Sequence, residues 1–235
     1  MIFEKSITRD WGLIYAEIWH KIFTKEFRRQ LGWGYTEVIF EGKNNTIAVY
    51  RMPKEHINEM RDFIISQIDN DPKWIEKQAV IVKERVNKTL SWIQVVKKKN
   101  LKKYSARELA RIFNKFLKMN LEFGPGFIIM LWFPIQMEQY KKRNHYEQSI
   151  GVAIQTRTHI EKIGPLVDTF ASKISREVMR RTNGNIALSR FMSIHQIKDY
   201  LEKGTAPKQK ILSARRKYFI ITSEGILLEN QKDYF

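Results

Sequence analysis

The residues with the most chemical potential near the start of the chain form the run Ser6-Ile7-Thr8-Arg9-Asp10-Trp11-Gly12-Leu13, which leads into an aromatic amphipathic segment. Thr8 or Asp10 is placed to cap that segment as a helix, its side-chain oxygen accepting an amide that has no intrahelical partner. Arg9 is not needed for capping. A guanidinium beside free helix amides makes an anion site, because both donate to phosphate or carboxylate oxygens. Two readings stay open here: an anion site, or an ordinary cap with Arg9 solvated or paired to a carboxylate.

Elsewhere the chemistry-bearing residues do not assemble. His20, His56, His145, His159 and His195 show no ligand spacing, and the chain has no cysteine to join them. No metal site and no cofactor are therefore expected in this chain. His20 shares a helical segment with Glu17, a pairing more often structural than catalytic. The sequence holds no GxxxxGK[ST] phosphate loop, no glycine fingerprint between strand and helix, and no GxSxG elbow. Carboxylates are not paired within apolar surroundings as general acid–base work requires, so no residue is assigned a catalytic role. Aromatic and basic residues interleave at Trp19-His20-Lys21, at Trp92 near Lys97-Lys98-Lys99, and at Arg215-Arg216-Lys217-Tyr218-Phe219. Bases stack on such sets, although the helical spacing fits core packing better.

Charge points to an anionic partner. The formal net charge of +17 is concentrated in two blocks, Lys73 to Lys118 and Lys141 to Lys217, while the remaining residues are near neutral or acidic. Such blocks raise the local concentration of nucleic acid, anionic lipid or phosphorylated metabolites. Within 235 residues, 43% hydrophobic and 12% aromatic content argues for a packed core rather than a disordered basic tail. The lack of cysteine makes a reducing cytoplasm the simplest setting. MIFEKSITRD, interrupted by Glu4 and Asp10, does not read as a signal peptide. The most apolar run, Phe127 to Phe133 between Pro125 and Pro134, is far short of the ~20 residues that span a bilayer. It reads as a buried helix, and no membrane span is expected.

The elements that must position these residues are mainly helical. Apolar residues at Trp11, Ile14, Tyr15, Ile18, Trp19, Ile22 and Phe23 mark a helix that Gly32 and Gly34 end. Val38-Ile39-Phe40 and Ile47-Ala48-Val49-Tyr50 flank Gly42-Lys43-Asn44-Asn45 as a hairpin over residues 37–51. Pro53 starts a helix to Ile68. Asp71 caps the next at Pro72, which runs to Lys99 with Trp74, Ile75, Ile81, Val82, Val86, Leu90, Ile93 and Val96 buried. Ser105 and Glu108 form a capping box for a helix through Met119, and Gly124-Pro125-Gly126 breaks the chain after it. A helical stretch from Tyr146 to Arg181 is kinked or split at Gly164-Pro165. Thr182-Asn183-Gly184-Asn185 is a turn. Ser193 and Gln196 form a second capping box, for a helix ending at Gly204. Pro207 leads a basic helix to Lys217, and a second hairpin covers 218–229. The expected fold is mainly α, a multi-helix bundle with two small β-hairpins. It forms a single helical domain over 1–235, with a subdivision into 1–70 and 71–235 left open.

The order of these landmarks resembles the helical region of phosphoenolpyruvate synthase-like proteins, the phosphoenolpyruvate-utilising enzymes. The residues that carry it are Thr8-Arg9-Asp10-Trp11-Gly12-Leu13 with Trp19, the hairpin around Gly42, Asp71-Pro72-Lys73, and Arg157 in a long helix. Met192-Ser193-Ile194-His195-Gln196-Ile197 and Leu212-x-x-Arg215-Arg216-Lys217-Tyr218 complete the pattern, so the resemblance covers essentially the whole chain. In that family such a region precedes a swivelling domain whose histidine carries a phosphoryl group. This sequence departs from the full enzyme: Ser193-Ile194-His195 lacks the glycines of the phosphohistidine segment, and no nucleotide-grasp domain or phosphoenolpyruvate barrel is recognisable. The resemblance therefore implies a substrate-binding or linker domain that works with a swivelling phosphohistidine or nucleotide-binding domain on another chain. It nominates Thr8, Arg9, Asp10, Trp19, Arg157 and Arg215 for packing or for binding an anionic small molecule. The rival class is a basic nucleic-acid-binding protein.

Overall fold

The computed structural model describes residues 4–35, 37–43, 46–51, 54–138 and 140–228, and is mainly helical with one small antiparallel sheet. Asn44, Asn45, Pro53, Glu229 and the side chain of His56, which carry parts of the expectations above, lie outside the described residues.

The start of the chain is not a helix cap. Glu4–Arg9 is a strand, β1, antiparallel to β3 (Thr46–Arg51), with Thr8 opposite Ala48 and Arg9 opposite Ile47. Without β1, the outer side of β3 would leave a row of backbone donors and acceptors unpaired. β3 pairs on its other side with β2 (Val38–Lys43). The two expected hairpins are joined, because β2 also pairs with β4 (Tyr218–Thr222), and β4 with β5 (Gly225–Leu227). The sheet order is β1-β3-β2-β4-β5. Gly42 lies within β2 rather than in the turn. A Cβ there would stand 2.0 Å from the Phe219 ring, so the glycine lets that ring lie across the strand. Phe219 and Ile221 join the main core, while Tyr218 and Ile220 pack with Ile39 and Leu227 on the other face.

The first helix, α1 (Leu13–Lys21), has Gly12 as its N-cap and no side-chain cap. Gly12 N–H instead donates to Asp168 Oδ1 at 3.1 Å. α1 continues through a π-helical turn (Ile22–Glu26) into α2 (Phe27–Leu31), which ends at Gly32 with φ 76°. α3 (Lys54–Asn70) is followed by α4 (Trp74–Lys97). Asp71 acts three residues before the helix proper, accepting Lys73 N–H and pairing with Lys77. The expected α4 core holds at Ile75, Val82, Val86, Leu90, Ile93 and Val96. Ile81, however, is 39% exposed, because one residue is about 100° of helix rotation away from Val82.

The largest departure is α5, a single helix of 32 residues (Ala106–Met137) that opens on the Ser105/Glu108 capping box and runs through Gly124-Pro125-Gly126. These glycines serve close approach rather than a break. A Cβ on Gly124 would come within 2.4 Å of Ile22 Cδ1, and one on Gly126 within 3.1 Å of Val82 Cβ. α6 (Glu147–Ile160) and α7 (Ile163–Arg181) divide just before Gly164-Pro165. Pro165 thus falls in the first turn of α7, where its missing N–H would have had no helical partner anyway. α8 (Ile194–Lys203) carries the second capping box and ends at Gly204, and α9 (Gln209–Lys217) leads directly into β4. One continuous core runs from Leu13 to Ile221. Among the described residues no helix is long and apolar enough to cross a membrane.

Candidate functional site

The six nominated residues do not converge. Thr8 and Arg9 are exposed on β1, and Arg9 Nη1 donates to the Thr8 carbonyl at 3.0 Å. Among the described residues Arg9 has no carboxylate partner. Asp10 has the ion pair instead: Arg190 binds it and also donates to Trp11 O at 3.0 Å. Trp19 is buried, stacked on Trp11 at 5.4 Å and edge-on to Tyr15 and Phe127, so it belongs to the aromatic core. Arg157 lies on α6 and pairs with Glu161 one turn on. Arg215 is half-buried on α9, where Nη1 donates to Gln196 Oε1 at 2.6 Å and to Phe191 O at 3.3 Å. Asp10 and Arg215 therefore both meet the C-terminal end of one short 3-10 segment, Ile186–Phe191, through the Arg190 side chain and the Phe191 carbonyl. The cavity beside Arg190, Phe191 and Arg215 is about 10 Å³, room for about one water, and Asp10 does not line it.

Two carboxylates not singled out for a role do more. Glu17 on α1 accepts Ile194 N–H, the first amide of α8, at 2.7 Å. Burial pushes its carboxyl up to about 7, against the opposing pull of that amide, Lys21 and Arg215. Glu37 accepts from Val38 N–H, His20 and both Ser223 donors. Burial works against its charge, yet the His20 and Ser223 hydrogen bonds hold its carboxyl below the usual range. Ser223 donates to the carboxylate, not to His20, so this cluster ties the β4–β5 turn to β2 and α1 and does not activate a nucleophile.

A cleft of about 590 Å³ lies between the end of α4, the 3-10 turn Leu101–Lys103 and one face of α7. Lys99, Lys102, Lys173, Arg176 and Arg180 line it, against Asp168 and Glu177. Glu177 is committed: Arg180 and Arg181 both bind it, and Arg181 also holds the carbonyls of Leu101 and Tyr104. Those arginine hydrogen bonds outweigh burial and keep the Glu177 carboxyl low. Lys173 Nζ caps α4 by donating to Lys97 O and Lys99 O. Asp168 faces Gly12 and Arg190, and burial raises its carboxyl above the ordinary value. What remains is cationic. The side chains of Lys102 and Arg176 have no hydrogen-bond or ion-pair partner among the described residues, and Lys99 only lies 5.8 Å over the Tyr104 ring.

Comparison with protein families, curated proteins and solved structures finds no match.

The chemistry of the cleft is read from its own residues. It presents three uncommitted cations, with the half-buried Ser172 on the same wall, which is an environment for an anion. Among the described residues no three His, Asp or Glu side chains gather as a metal site would need. The sequence signal for the cleft was present in the Lys97-Lys98-Lys99 and Lys102-Lys103 runs. Only the tertiary structure brings them against Arg176, 74 positions beyond Lys102.

Proposed function

We propose that this chain is a helical anion-binding module that holds a phosphorylated or carboxylated small molecule while a swivelling phosphohistidine domain on another chain delivers the phosphoryl group. The observation that carries this reading is the cleft whose Lys99, Lys102 and Arg176 side chains pair with no carboxylate among the described residues. The resemblance of the residue landmarks to phosphoenolpyruvate-utilising enzymes supports the phosphoryl-transfer context. Phosphoryl transfer depends chiefly on positioning and charge neutralisation, so a module without a catalytic base contributes by holding the acceptor. Arg176 offers a planar fork to two oxygens, and Lys102 adds a point charge from the facing turn.

The test is calorimetric titration with phosphoenolpyruvate, which carries both a phosphate and a carboxylate. Binding weakens about tenfold in Arg176→Ala and in Lys102→Ala, the scale of one charge-assisted hydrogen bond. Unchanged affinity in both variants overturns the reading. Labelling of any histidine when the chain alone meets ATP or phosphoenolpyruvate would contradict the need for a partner. Tight binding of a random duplex, lost steeply with salt, would favour the nucleic-acid reading instead.

A further inference from the structure

Pro125, in the middle of α5, has no N–H to give to Leu121 O, and its ring crowds the preceding turn. Two side chains from other helices compensate. Gln30 Nε2, on α2, donates to Leu121 O at 2.9 Å. Arg85 Nη1, on α4, donates to Glu122 O at 2.5 Å and to Gln30 Oε1 at 2.9 Å. Both protein contacts of this guanidinium therefore use one nitrogen. Nε and Nη2 have no partner among the described residues, and no carboxylate pairs with the half-buried group.

Arg85 also lines a cleft of about 550 Å³, together with Arg29, Lys88, Glu84 and Glu122. Arg29 is committed to Glu26, and Glu122 lies 3.8 Å from Lys118. Lys88, three residues beyond Arg85, has no partner among the described residues, and neither does the exposed carboxylate of Glu84. A bracing role alone needs only Nη1. A half-buried guanidinium with two further donors left over is a fork for two oxygens of one anion.

We propose that this cleft is a second anion site, which takes the phosphate group of a small ligand on Arg85 Nε and Nη2 with Lys88 as supporting cation. Nη1 stays on Gln30 and Glu122, so the ligand fixes Arg85 in the position that braces α5 at Pro125. Binding and the stiffness of α5 are thereby coupled. The site shares no lining residue with the 590 Å³ cleft, so the two readings fail separately.

The experiment titrates inorganic phosphate into the full chain, with chloride at matched ionic strength as the reference. It follows the Arg85 Nε–H resonance and amide exchange from Lys118 to Met130. The expected result is a saturable Arg85 shift and slower exchange around Pro125. Arg85→Lys still reaches Glu122 O and so folds, but binds phosphate about tenfold more weakly. Arg176→Ala, altered only in the other cleft, titrates like the unaltered chain. No saturable Arg85 response, undiminished binding in Arg85→Lys, or loss of the Arg85 response in Arg176→Ala would each overturn the proposal.

Discussion

A carboxylate removed from water must find donors or keep its proton, and Glu17 does part of each. Its carboxyl stands at about 7 in the folded chain against an ordinary value of 4.5. The folded state then binds the proton more tightly than the unfolded state does, so stability falls as pH rises from about 4.5 to about 7. Glu17→Gln keeps an oxygen for Ile194 N–H and removes the charge. We expect it to flatten that fall and to gain about 2 kcal/mol above neutrality while changing little at low pH, read from denaturant midpoints across the pH range. Parallel pH profiles for the two proteins would show that Glu17 is not the titrating group. Asp10 teaches the same lesson from the surface: its partner is Arg190, remote in sequence, and not its neighbour Arg9.

Helices report their own starts well and their neighbours poorly. The capping boxes at Ser105 and Ser193 and the Gly32 and Gly204 ends follow from local hydrogen bonding, so a short stretch of sequence suffices to place them. Gly124-Pro125-Gly126 has the composition of a break, yet the helix continues because packing against Ile22 and Val82 uses the missing side chains. Gln30 and Arg85, meanwhile, serve the carbonyls that proline disturbs. Glycine-to-alanine changes separate these causes. Gly124→Ala drives a methyl into Ile22 and should cost about 1–3 kcal/mol. Gly151→Ala, on α6 with nothing within 4 Å, should stabilise by about 0.5–1 kcal/mol. Chemical denaturation of both variants checks the signs, and equal signs would mean that close approach does not set the Gly124 requirement.

At the scale of the whole molecule, the sheet ties the ends of the chain together: β2 lies between β3 and β4, and the Phe219 ring covers Gly42. Phe219→Ala should therefore cost about 3–5 kcal/mol. It should also lower the tryptophan fluorescence transition, to which Trp11, Trp19, Trp33, Trp74, Trp92 and Trp132 all contribute, together with the helical circular dichroism transition. Non-coincident transitions would show that the sheet and the helices do not unfold as one cooperative unit. The amino-acid sequence by itself determined the helical class, most helix limits and the basic character, because caps, periodicity and charge are local properties. It also held the strand segments of both hairpins. Only the tertiary structure decided that Glu4–Arg9 is a strand, that the hairpins share one sheet, that α5 is unbroken, and that Lys102 faces Arg176. Each of these depends on partners far along the chain, whose contacts offset chain entropy and override local preference, and no nearby residue records them.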